Sequence, residues 1–326
     1  MGLDSRFASA PSSTCIISLS LATEANISCA TKPENLKSAF DMINETAKHK
    51  CSRSGRQSIT LLFLCLARNC EATLPKFFSY LDLLDNWGFH CTSIIGEDSS
   101  RDRTRALILD ARGSRIELID TSFMAEEPSR LKRMALGREA LLDVYRARRG
   151  DENFVCVADL DNVMISPPTP AAVKNAIDRL RLDRSLFALG ATSRPVYYDL
   201  LSFKANGQDY RSLNTEISKA KKNPLTYFQF HKRRIYKHQR LLTQPEPIPC
   251  CSSFNGFCIY NAEDYSLGSY RADDEADVCE HVSFNLSIIR QTGKGMLIAP
   301  ELFIQTPRDH APVGVFRFWC DRVGKL

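Results

Sequence analysis

The chain has 326 residues, 44% of them hydrophobic and 25% charged, with a net charge of +5. These values describe an ordinary globular chain, and the mild positive excess suits an anionic small ligand or surface without calling for nucleic acid. No run of about 18 apolar residues occurs, and Met1–Leu21 lacks a basic start followed by an unbroken apolar stretch, so neither a membrane-spanning helix nor a signal peptide is expected.

Residues 1–57 read as an N-terminal extension, with one amphipathic helix over Pro33–Lys50 and a linker at 51–56. From Ser58 the pattern becomes strands alternating with helices. Ile59–Ala67 reads as a buried strand, Glu71–Trp87 as a helix stopped by Gly88, and Cys91–Gly96 as a second strand. A helix over Asp102–Asp110, a strand at Ile116–Ile119, a long helix over Arg130–Arg149 and a strand at Phe154–Ala158 follow. The second half contributes a helix at Pro170–Leu180, strands at Leu186–Leu189 and Phe257–Tyr260, a helix at Val282–Gln291 and a last strand at Met296–Ala299. Residues 191–250 read as loops rich in aromatic and basic side chains. The alternation predicts an α/β fold, a mostly parallel sheet with helices on both faces. It is expected as one domain over 58–326, with a nucleotide-binding half at 58–165 and an acceptor-binding half at 166–326.

Twelve cysteines sit inside apolar runs such as Leu64-Cys65-Leu66, and no C-x-x-C pair occurs. That usage predicts buried free thiols, no structural zinc site and a reducing cytoplasm.

The segment 154–161 ends a buried strand with two carboxylates, Asp159 and Asp161. Ligands of open α/β sheets bind outside the carboxyl ends of the strands. Acids two residues apart there can share a hard divalent cation that bridges diphosphate oxygens. Two solvated acids at a strand end are the plainer alternative. Two other strand ends add polar groups. Arg68 and Asn69 close the first strand before a helix, where a nucleotide base or phosphate can be held. Glu97 and Asp98 close the second, where an acid can accept from a ribose or base, and Arg101 and Arg103 follow as phosphate ligands or solvated loop residues. Arg133 and Arg138 lie five apart on the long helix, not quite on one face, so at least one is expected at the surface.

With these pieces in order, the sequence resembles the GT-A glycosyltransferases, and among them the fungal capsule-associated and Golgi mannan-polymerase mannosyltransferases. The resemblance rests on Leu64–Asn69, Ile94–Arg103, the Arg133–Tyr145 helix, Val157–Asp161, Pro195–Asp199 and Phe254–Phe257, over residues 58–305. It implies a Rossmann-like GT-A domain, a nucleotide-diphosphate-sugar donor, and Mn²⁺ or Mg²⁺ held through Asp159 and Asp161. It further implies that the Asn255-Gly256 turn lies beside sugar and acceptor, and that Glu280 is the base. Glu280 and His281 could instead cap their helix, and His281 could ligate the metal. His310 is the late histidine nearest the place where this family supplies a third metal ligand, although it lies farther past Pro300 than the pattern implies. A glycan or lipid-linked acceptor is expected.

The basic stretch 219–240 could contact an anionic membrane peripherally or steer a phosphate-bearing acceptor; a solvated helix face is the plainer reading. The rival function is a haloacid-dehalogenase-like phosphohydrolase, with Asp159 as nucleophile and 273–277 as a later acidic motif. A third reading is a non-catalytic binding module.

Overall fold

The computed structural model describes residues 59–113, 115–148, 150–271 and 278–320. The predicted N-terminal helix and the acidic stretch 273–277 lie outside the described residues.

The first strand, β1 (Ile59–Ala67), is apolar from Leu61 onward because both its faces are covered there. Its side chains alternate at the strand period of two. Leu61, Phe63 and Cys65 enter one core, and Leu62 and Leu64 enter the other. The first core is covered by α1 (Leu74–Asn86), α2 (Thr104–Asp110) and α4 (Pro170–Leu182). The second is covered by α3 (Arg130–Arg148), α8 (Ala262–Leu267) and α9 (Glu280–Thr292). The remaining strands are β2 (Phe89–Glu97), β3 (Ile116–Asp120), β4 (Phe154–Ala158), β5 (Leu186–Arg194), β6 (Ile248–Cys250), β7 (Phe257–Asn261) and β8 (Gly295–Gln305).

All eight form one sheet in the order β3-β2-β1-β4-β7-β5-β8-β6, running through both expected halves. β1, β2, β3 and β4 pair in parallel, as do β5 and β8, whereas β7 runs antiparallel between β4 and β5. The chain steps outward from β1 to β3 and then returns to place β4 on the other side of β1. That reversal opens a crevice at the carboxyl ends of β1 and β4, the position where doubly wound sheets bind ligands.

Most predicted elements form within a residue or two of their expected bounds, and α9 stops where expected, with Gly293 in the left-handed region at φ 68°. Three differ. β8 continues through Pro300 to Gln305, because its pairing with β5 shifts register between Ala191 and Thr192 and a bulge tolerates the missing N–H. The three-residue β6 carries Pro249 on the sheet edge, where a lost donor costs little. Residues 213–241, expected as loop, form α5 (Leu213–Ala220), α6 (Pro224–Phe230) and α7 (Tyr236–Leu241), the last two joined by a π turn at His231–Ile235.

The nine described cysteines are all free, and seven of them are buried, as their apolar neighbours predict. Among the described residues no helix is long and apolar enough to cross a membrane.

Candidate active site at the carboxyl end of β4

β4 delivers the two carboxylates. Asp159 follows Ala158 directly, and its N–H donates to the Gly256 carbonyl at 3.0 Å. Asp161 caps the short turn Asn162–Ile165 by accepting from Val163 N at 3.2 Å. Between them, the Leu160 carbonyl accepts from the Thr73 hydroxyl, tying this loop to the start of α1.

Both acids line a cavity of about 440 Å³. Its charged lining also includes Arg138 and Arg130 from α3, Asp199 after β5, Glu280 at the start of α9, and Asp309. His231, His281 and His310 line it as well.

Arg138 is the pivot of the cavity. It is 2% exposed, donates through Nη2 to Asp159 Oδ1 at 2.9 Å, and stands 3.4 Å from Glu280 Oε1 through Nε. Its guanidinium lies 5.0 Å over the Phe254 ring. Burial alone would lower its pKa, but the two carboxylates reverse that and hold it firmly charged. His281 also stacks near-parallel on the Phe254 ring, at 3.7 Å between centroids. Both His281 nitrogens are buried without a hydrogen bond, and burial, aided by Arg138, keeps the imidazole neutral.

Arg138 and Arg130 do not balance Asp159, Asp161, Asp199, Glu280 and Asp309. Burial raises Asp159 to about 7, against the pull of Arg138, with Asp161 and Asp199 adding to the rise. Burial likewise raises Asp199 to about 6, opposed by the Ser202 hydrogen bonds and reinforced by Glu280. A carboxyl poised near neutrality in a cavity is suited to binding a cation or exchanging a proton.

The predicted residues divide into three groups. Asp159, Asp161, Arg138, Glu280 and His310 meet in the cavity, with the His310 ring 5.1 Å from that of Tyr198. Among the described residues, however, no three His, Cys, Asp or Glu side chains stand close enough to form a ready-made metal site.

A second group stands at the ends of β1 and β2, on the switch-point side. Arg68 pairs with Asp98 at 3.0 Å, while the other Asp98 oxygen is buried without a hydrogen bond. Asn69, at φ 54°, spans the two loops by donating to Ser100 Oγ and accepting from Arg101 N, which leaves the Arg101 side chain exposed.

The third group is structural. Glu97 is fully buried and spends one oxygen on Ser100 N and the other on Arg105, so it shapes its loop and offers nothing to a ribose. Arg133 donates to the Glu127 carbonyl outside the cavity lining, leaving Arg138 as the inward arginine of the pair. Asn255 and Gly256 form a type I′ turn, with φ of 52° and 80° and a Phe257 N to Phe254 O bond. Asn255 is fully buried, and its Oδ1 accepts from Tyr198 N and Asp199 N, so it positions the Asp199 loop. Gly256 has no room for a side chain: a Cβ there would stand 2.4 Å from the Tyr198 hydroxyl and 2.6 Å from Val163 Cγ2.

Asp199, like Arg130, His231 and Asp309, lines the cavity without having been among the expected site residues. The segment Pro195–Asp199 is distinctive, but no spacing rule connects its acid to the D-x-D forty residues earlier.

No protein-family description matches the sequence, and no curated protein matches it. Among solved structures, the chain is similar to glucosyl-3-phosphoglycerate synthase from Mycobacterium tuberculosis in complex with phosphoglyceric acid. That comparison gives 16% identity and a TM-score of 0.41, covering 82% of this chain and 80% of the other. The same synthase with Mn²⁺, UDP and glucosyl-3-phosphoglycerate gives 15% identity and a TM-score of 0.40, covering 82% and 80%. A further mycobacterial protein gives 12% identity and a TM-score of 0.43, covering 82% and 75%.

Proposed function

We propose that the cavity is the catalytic centre of a metal-dependent glycosyltransferase of the GT-A kind. It would transfer a sugar from a nucleotide-diphosphate sugar to a hydroxyl of a glycan or lipid-linked acceptor. Mannose as the donor sugar follows from the motif resemblance. The observation that carries the reading is the placement of Asp159 and Asp161. They end a central strand at the topological switch point and open into one cavity with Arg138, Glu280, Asp199 and His310.

The donor set suits Mn²⁺ or Mg²⁺. Asp159 and Asp161 offer hard carboxylate oxygens, and the rise of Asp159 to about 7 marks a cluster short of positive charge. These two would hold the ion; His310 would become the third protein ligand only by moving toward them, since the three do not stand together. When bound, such an ion neutralises charge on a departing nucleotide diphosphate.

The chain's own groups would do the rest. Arg68 and Arg101, with Asp98 behind Arg68, lie where the nucleotide would be held. Arg138 fixes Asp159 and Glu280 relative to each other. The acceptor hydroxyl oxygen bonds to the anomeric carbon, the bond from that carbon to the diphosphate oxygen breaks, and Glu280 takes the hydroxyl proton. Asp199, at about 6, is a second candidate for that proton.

The test is hydrolysis of a panel of nucleotide sugars with Mn²⁺, since donor hydrolysis needs no knowledge of the acceptor. Turnover with at least one donor, abolished by Asp161→Ala in a protein that still folds, supports the reading. Turnover of p-nitrophenyl phosphate lost in Asp159→Asn, with no nucleotide-sugar binding, would replace it with the phosphohydrolase. A chain inert in both assays that shows no metal-dependent thermal shift with UDP or GDP would be a binding module.

A further inference from the structure

Residues 213–241 carry eight lysines and arginines against a single acid, Glu216. The segment spans α5 to α7, and its burial pattern sorts it into two faces. Tyr227, His231, Ile235 and Gln239 recur every four residues and are buried, and the last three line the cavity. The opposite face is exposed and carries Lys232, Arg233, Lys237 and Arg240, with Lys219, Lys221 and Lys222 on the preceding turns. Arg234 pairs with Glu216, but among the described residues none of Lys219, Lys222, Lys232, Arg233, Lys237 or Arg240 is in an ion pair.

Large apolar side chains stand out of the protein beside these bases. Leu225 at the start of α6 is 65% exposed, and Leu241 at the end of α7 is 49% exposed. The short helix α10 (Val315–Phe318) meets α6 where Phe318 packs against Tyr227 and Phe228, both at 5.2 Å. It presents Phe316, 84% exposed, and Val315, 54% exposed. A basic face with protruding aliphatic and aromatic residues matches the water–lipid interface, where bases meet headgroups and apolar side chains enter the acyl boundary.

We propose that the outer face of 213–241, with Val315 and Phe316, is a docking surface for an anionic lipid bilayer. The inner face of the same helices walls the cavity, so docking would place one wall of the cavity on the membrane. The inference stands on this surface alone and does not need the transferase reading.

The test is co-sedimentation of the full chain with phosphatidylcholine vesicles, with and without about one third phosphatidylserine. Binding to the anionic vesicles, weak binding to the neutral ones, and release by about 0.5 M salt are expected. Each base near such a surface is worth roughly five-fold in partition, so K232E/R233E should lose well over ten-fold. L225S/F316S should weaken binding to anionic vesicles while leaving its salt dependence in place. Both variants should melt as the parent does, and the single reversal K237E, with an expected loss of more than five-fold, serves if the double variant does not fold. No vesicle binding, equal binding to neutral vesicles, undiminished binding by the variants, or binding to duplex DNA or RNA in place of vesicles would overturn the inference.

Discussion

Arg138 offers the sharpest test of how the cavity is held together. Arg138→Met keeps much of the apolar stem and removes the charged group that lies over Phe254 and between Asp159 and Glu280. A carboxylate and a guanidinium with charge centres about 4 Å apart attract by roughly 4 kcal/mol at an effective dielectric of about 20. Removing one partner of a buried pair typically costs about 3–5 kcal/mol, because the orphaned charge stays behind. Part of that cost depends on pH. Asp159 already ionises near 7 inside the fold, above its ordinary value of 3.8, so ionising it costs stability as pH rises between the two. Arg138 lowers that folded value, and its loss moves it higher still. The extra penalty therefore accumulates only above about pH 7, where the parent's Asp159 is ionised and the variant's resists ionisation. At about pH 8.5 this amounts to roughly 2 kcal/mol, from about 1.4 kcal/mol per unit of pH. At about pH 5.5 Asp159 is protonated in both proteins and only the Glu280 part remains. Urea unfolding at the two pH values reads the difference. A loss below about 1 kcal/mol, or one equal at both pH values, would refute the pivot.

Other consequences of the geometry are open to direct measurement. Gly256→Ala should lower Tm by several degrees, from about 1–3 kcal/mol of backbone strain plus the clash with Tyr198 and Val163, and an unchanged Tm would contradict the φ of 80°. Mn²⁺ should bind more weakly as pH falls through about 7, because protons then compete for Asp159; affinity flat between about pH 6 and 8 would remove Asp159 from the ligand set. Glu280→Gln and Asp199→Asn separate the two candidate bases. Loss of the acidic limb of the pH–rate profile for transfer should follow removal of the true base, and a profile unmoved by either variant would exclude both.

The sheet was legible because its strands are simple. β4 and all of β1 after Thr60 are apolar runs buried on both faces, and the expected bounds match the observed ones. The D-x-D was legible as a strand-end pair, but not the company it keeps. Arg133 and Arg138 look alike in sequence, and only the rotation of α3 on the sheet sends one to the Glu127 carbonyl and the other into the cavity. Glu97 read as an open acceptor because sequence does not reveal that Ser100 N and Arg105 claim both its oxygens. The helices in 213–241 were hidden by the π turn, which shifts the helical period, and by a buried stripe containing His231 and Gln239 where apolar residues are expected. Asp199 was hidden because its meaning depends on pairings far along the chain: Asn255 fixes its backbone from a turn more than fifty residues away.

The central claim is that Asp159 and Asp161 hold a divalent ion that grips a nucleotide diphosphate. Calorimetric titration of GDP and UDP into the chain, with and without Mn²⁺, tests it most directly when repeated in Asp159→Asn and Asp161→Ala proteins that still fold. The account predicts nucleotide binding that requires Mn²⁺ in the parent and disappears in both variants. Binding of equal strength without the metal, or surviving in the variants, would contradict it.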